Sequence, residues 1–82
     1  MQAFVYDITE HIATLAENKT GNYTLELNKI SFNGNPAKYD LRKWDKANGK
    51  MLKGITLTDE EAEALKEALT RALERGEKEH GL

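Results

Sequence analysis

Three polar breaks divide the first two-thirds of this chain: residues 18–22 (NKTGN), Asn33-Gly34 followed by Pro36, and Asn48-Gly49. Asn-Gly favours hairpin turns of type I′ because both central residues there need positive φ, which Asn tolerates and Gly adopts freely. Three turns make four strands, expected over 3–17, 22–32, 37–45 and 50–57. Pro36 cannot donate to a ladder, so it belongs at a strand start or an edge.

The alternation inside these strands is interrupted. Tyr23, Leu25 and Leu27 share one parity and Ile30 and Phe32 the other, so a bulge near Asn28-Lys29 is expected if both sets face one core. In the first strand Phe4, Tyr6, Ile8 and Ile12 are even and Leu15 is odd. At roughly 3.3 Å per residue that strand is unusually long, which implies a bent ribbon. Ile8, Ile12, Leu15 and Ala16 also fit a short helix with Thr9 as N-cap; the hairpin reading is preferred.

After the last strand, Thr58-Asp59-Glu60-Glu61 is a capping box, with three acids at the positive end of the helix dipole. Ala62, Leu65, Leu69, Ala72 and Leu73 then form one apolar stripe on a helix expected from 59 to 75. Gly76 reads as its stop. The reading is one domain over 1–76 and a polar tail over 77–82. The class is α+β: a four-stranded curved antiparallel sheet followed by one C-terminal helix (β-β-β-β-α).

The chain has 82 residues and no cysteine. A domain of that size buries only about 60–65% of its unfolded surface, and neither a disulfide nor a Cys-based metal site can staple it. Four strands span roughly 19 Å, whereas one helix covers about 10 Å. Half of an apolar sheet face is left wet, so a symmetric homodimer is the economical cover.

The net charge is -2, but its distribution is uneven. Residues 1–18 carry -3, residues 19–53 carry +5 and residues 54–82 carry -4. The basic segment includes a strand on which Lys38, Asp40, Arg42 and Trp44 point to one side and Tyr39 and Leu41 to the other. Trp44 caps the core, fills the dimer interface or, lying open beside fixed cations, stacks on an unpaired base. Phe32 shares a parity with Ile30 and has the same two roles open to it. Lys53 falls in a row with Met51 and Ile55, where a charge implies an anion or a row that has left the core.

Taken in order, Phe32-x-Gly34, Tyr39-Asp40-Leu41-Arg42-x-Trp44, Asn48-Gly49-Lys50 and Lys53-Gly54-Ile55-Thr56-Leu57-Thr58 resemble the positive cofactor four family of transcriptional coactivators, which bind single-stranded DNA. The resemblance covers about residues 22–73, and the chain is similar to the short bacterial members called YdbC. It implies a symmetric dimer of curved sheets, with helices packed at the interface and strands forming grooves for nucleic acid. The family's stacking aromatics fall on Phe32 and, to within one position, on Trp44; its strand arginine falls on Arg42 and its lysine before the Gly-Ile step on Lys53. Asn33, Asn35 and Leu52 stand where the family has basic residues, and a serine-rich regulatory extension is missing, which sets the coactivator role apart from the binding activity.

The expected partner is therefore single-stranded nucleic acid, DNA before RNA. Arg42 and Lys53 would neutralise phosphates, supported by Lys29, Lys38, Lys43, Lys46 and Lys50, while Trp44 and Phe32 stack on bases. A further possible partner is the transcription machinery, met by the acidic helix. No cofactor or metal is expected, since helix capping accounts for Asp59, Glu60, Glu61 and Glu63. His11 and His80 lie far apart, and no nucleophile set or phosphate loop points to an enzyme. Without a leader or a membrane-spanning stretch in the sequence, a soluble cytoplasmic protein is expected.

Overall fold

The computed structural model describes residues 5–80. It contains β1 (Tyr6–Glu17), β2 (Tyr23–Phe32), β3 (Lys38–Asp45), β4 (Lys50–Leu57) and α1 (Asp59–His80). The strands form one antiparallel sheet in the order β1-β2-β3-β4. Residues 3 and 4, which the sequence reading placed in the first strand, lie outside the described residues. The short helix that competed for residues 8–16 does not form, and the segment is strand.

The hairpin turns differ in chemistry. Asn33 and Gly34 both take positive φ (52° and 77°), as a type I′ turn requires. At Asn48-Gly49 only the glycine does (63°), and the connection is a longer loop in which Asp45 accepts hydrogen bonds from the Asn48 backbone N–H (3.2 Å) and from its Nδ2 (2.8 Å).

The bulge expected at Asn28-Lys29 is not there: β2 pairs with β3 without interruption from Tyr23↔Asp45 to Ile30↔Lys38. The irregularities are in β1, which shifts register against β2 between Ile8 and Glu10, between His11 and Ala13, and between Thr14 and Ala16. Each shift inserts one extra residue on β1, which bends the strand and increases its twist. The two apolar sets of β2 therefore face opposite sides. Thr24, Glu26, Asn28 and Ile30 are buried on one face, whereas Leu25 and Leu27 are half-buried on the other. A polar row can be buried there because its members bond one another, Thr24 donating to Glu26 Oε2 at 2.7 Å and Asn28 reaching Oε1 at 3.4 Å.

Thr58 and Glu61 close the capping box reciprocally, with Thr58 N–H donating to Glu61 Oε1 (2.9 Å) and Glu61 N–H to Thr58 Oγ1 (3.1 Å). The helix runs through Gly76 to His80 rather than stopping at 75. Gly76 lacks the positive φ of a left-handed cap, and a glycine inside a helix costs only about 1 kcal/mol. Among the described residues the helix touches only β3 and β4, and from 59 to 75 every side chain except Ala62 is exposed. Among the described residues, Ile30 and Trp44 are the only apolar side chains that are fully buried.

Candidate nucleic-acid interface

Cross-strand pairing assigns the buried face. Across β2 and β3, Thr24 faces Trp44, Glu26 faces Arg42, Asn28 faces Asp40 and Ile30 faces Lys38. Tyr6 and Ile8 of β1 join the same face opposite Phe32 and Ile30. Tyr6 stands between the two aromatics, its ring centroid 6.5 Å from Phe32 and 5.9 Å from Trp44.

Trp44 is not the open plate that the sequence suggested. It is 5% exposed, sealed by Tyr6 and the bent β1, and its Nε1–H has no hydrogen-bond partner among the described residues. Strand parity placed it on the correct face; the curl of β1 over that face made it interior. Phe32, half-buried at the rim, is the more accessible ring.

Arg42 is likewise held rather than free. Its Nε and Nη2 donate to Asp40 Oδ1 and Oδ2 (2.6 and 2.7 Å), and its Nη1 donates to the Leu52 carbonyl (3.0 Å). Hydrogen bonds from Arg42 to Asp40 raise the guanidinium pKa above its usual value, outweighing burial. Asp40 is completely buried and also accepts from Thr56 Oγ1 (3.1 Å). The guanidinium carbon lies 5.8 Å from the Phe32 centroid, within cation–π reach. Among the described residues these three bonds leave two of its five N–H groups unengaged, their direction fixed by the others.

The lysines divide. Lys38 is exposed on the aromatic face, and Lys46 reaches Glu26 Oε2 at 3.2 Å with half of its side chain in solvent. Lys50 and Lys53 are exposed on β4, and among the described residues no salt bridge engages either. Lys29 and Lys43 belong to the reverse face: Lys29 Nζ sits 5.0 Å over the Tyr39 ring, and Lys43 pairs with Leu25. The expected set of seven lysines and arginines is thus not one patch.

The structure adds residues the sequence reading missed. A cleft of about 300 Å³ bordered by Tyr6, Trp44 and Asp45 adjoins one of about 430 Å³ bordered by His11, Thr14, Glu26 and Asn28, and Ile8 and Lys46 line both. Together they form one groove, aromatic at one end and polar at the other. For Glu26, burial acts to raise the pKa, but hydrogen bonds from Thr24, Lys46 and Asn28 and the charge of Lys46 outweigh it and lower the value, so the carboxylate is ionised at neutral pH. The interrupted parity of the first strand was the only signal of this wall in the sequence.

The family described as Transcriptional Coactivator p15 (PC4) matches residues 19–68, which span β2, β3, β4 and the first part of α1. An uncharacterized protein of Treponema pallidum (strain Nichols) is 46% identical over 66 residues, covering 80% of this chain and 76% of that relative.

Proposed function

Since the chain belongs to the Transcriptional Coactivator p15 (PC4) family, we propose that it is a sequence-tolerant single-stranded DNA-binding protein with a coactivator-like part in transcription. The observation that carries this reading is the aromatic rim that Phe32 and Tyr6 form beside the fixed Arg42 guanidinium. Unpaired bases stack on Phe32, with Tyr6 and the buried Trp44 backing the stack. Arg42 offers its two remaining N–H groups to one phosphate, and Lys38, Lys46 and Lys50 neutralise others. Neither contact reads sequence, because every base has a π-face and every phosphate is alike. Lys29, Lys43 and Lys53, on the reverse face, contribute only to the surrounding field. Among the described residues no helix is long and apolar enough to cross a membrane, and no cluster of metal-ligating side chains exists.

The test is anisotropy with a labelled oligonucleotide, single-stranded and duplex in parallel. Phe32→Ala is expected to weaken single-strand binding by about 1–3 kcal/mol, the usual worth of a stacking aromatic. Lys38→Ala is expected to flatten the log-log salt slope by about 0.7, the value for one phosphate contact on a single strand. Equal affinity for duplex and single strand, or neither variant differing from wild type, would remove the groove as the binding site.

The working unit in this proposal is a symmetric homodimer. Leu65, Leu69 and Leu73 on α1 and Ile55 on β4 are exposed, Leu73 by 64%. A core of two buried apolar side chains does not offset backbone ordering of about 1–2 kcal/mol per residue, so this apolar surface needs a cover. A second copy brings the same stripe to a two-fold axis. Sedimentation is expected to give twice the chain mass, with a Tm that falls on dilution. A concentration-independent Tm at monomer mass would overturn the dimer.

A further inference from the structure

We propose that the polar end of the groove, between β1 and β2, is a base-reading subsite that takes one guanine of the bound strand. This rests on the single-strand-binding reading and deepens it, since stacking stays sequence-tolerant while one position becomes selective.

The wall of this subsite is built by the irregularities of β1. Each register shift adds one residue, so every third side chain, His11, Thr14 and Glu17, keeps facing the same way, opposite Asn28, Glu26 and Thr24. Bulges re-aim side chains toward sites in this manner. β1 lies outside residues 19–68, which match the family, whereas Glu26, Asn28 and Lys46 lie within them. The cleft of about 430 Å³ is within the range of small-molecule pockets and opens directly onto the aromatic end through Ile8 and Lys46.

Its floor carries a carboxylate where a phosphate groove would be expected to carry none. Glu26 has a side chain only 6% exposed and lines the cleft. Oε2 is well served, by Thr24 Oγ1 at 2.7 Å and Lys46 Nζ at 3.2 Å. Oε1 is not: Asn28 Nδ2 stands at 3.4 Å and His11 Nδ1 at 3.5 Å, both beyond the usual 2.7–3.2 Å for N–H···O. The His11 nitrogen is in any case engaged with Asn28 Oδ1 at 2.6 Å. A buried, ionised oxygen without a full-strength donor calls for a ligand that brings N–H groups.

Among the bases, guanine alone presents two adjacent N–H donors, N1–H and N2–H, with an acceptor, O6, beside them. The carboxylate of Glu26 accepts the two donors, and the half-exposed ammonium of Lys46 turns from Oε2 to O6. Adenine and cytosine each offer one amino group beside a ring-nitrogen acceptor that would face the carboxylate. Thymine and uracil offer a single N–H between two carbonyl acceptors. Unpaired bases expose these edges, as a duplex does not.

The experiment measures anisotropy with the full chain and a short labelled oligo-dT, against the same strand with one central thymidine replaced by deoxyguanosine, deoxyadenosine, deoxycytidine or deoxyinosine. Deoxyguanosine is expected to raise affinity about tenfold, the size of one bidentate base contact. Deoxyinosine, which lacks only the N2 amino group, is expected to lose most of that gain, and Glu26→Gln to bring the deoxyguanosine strand and the all-thymidine strand to equal affinity. The base series needs no variant, so it decides the matter even where Glu26→Gln fails to fold. Oligo-dT binding with no gain from deoxyguanosine, or a larger gain from another base, overturns the subsite and leaves the single-strand reading standing. No binding to any of these strands overturns both.

Discussion

Gly54→Ala is expected to destabilise the protein by about 3 kcal/mol or more, at the upper end of what overpacking costs. Gly54 pairs with Arg42, while Trp44 pairs with Met51, so β4 carries two residues opposite the single Lys43 of β3. That bulge presses the strands together at the glycine. A Cβ there would run into Arg42 Cβ and stand 2.8 Å from both Arg42 Cα and the Leu41 carbonyl oxygen. Two of those three neighbours are backbone atoms, so relief requires the strands to separate, which also strains the hydrogen bond from Arg42 to the Leu52 carbonyl. Gly49→Ala is the informative contrast, because it meets open space but takes a φ of 63°. Its cost is conformational and about 1–2 kcal/mol. Denaturant midpoints of the two variants check the ordering, and a Gly54→Ala protein as stable as wild type would show that the strands do not approach so closely.

Arg42→Ala is expected to cost about 3–5 kcal/mol of stability, the penalty for removing one partner of a buried ion pair. Without the guanidinium, Asp40 stays completely buried and retains only the Thr56 hydroxyl as a side-chain donor. Much of the loss is the uncompensated charge, so adding Asp40→Ala to Arg42→Ala should restore part of it, and a double-mutant cycle measures how much. The result separates two roles that a binding assay alone would confuse. Lys38→Ala should alter the salt slope with stability unchanged, whereas Arg42→Ala should lower both affinity and stability. An Arg42→Ala protein within about 0.5 kcal/mol of wild type would mean that the arginine is a free surface cation after all.

The legible part of the site was its strand framework. Lys38, Arg42 and Trp44 do share a face, because alternation along an uninterrupted β3 is a local property. Phe32 joins them at the turn that Asn33-Gly34 dictates. The exposure of Trp44 was misjudged for a physical reason: parity assigns a side, and only the curvature of the whole sheet decides whether that side is covered. The same limit applies to Lys29 and Lys43, which composition groups with the other lysines and pairing puts behind the sheet. Glu26 gave no signal as one acid in a basic segment, and it acquires a role only through Thr24, Asn28, Lys46 and His11.

What the sequence determined by itself was everything set within a few residues: strands ended by Asn-Gly and Gly-containing turns, a helix begun by the reciprocal Thr58 and Glu61 bonds, and an apolar stripe at helical spacing. What the tertiary structure decided was where the inside lies. Three single-residue insertions in β1 bend that strand over β2, sealing Trp44, burying a polar row and turning His11 and Thr14 toward it. Turn chemistry and side-chain alternation act over a few bonds, whereas burial is settled by contacts between strands far apart in the chain, and no local pattern encodes it.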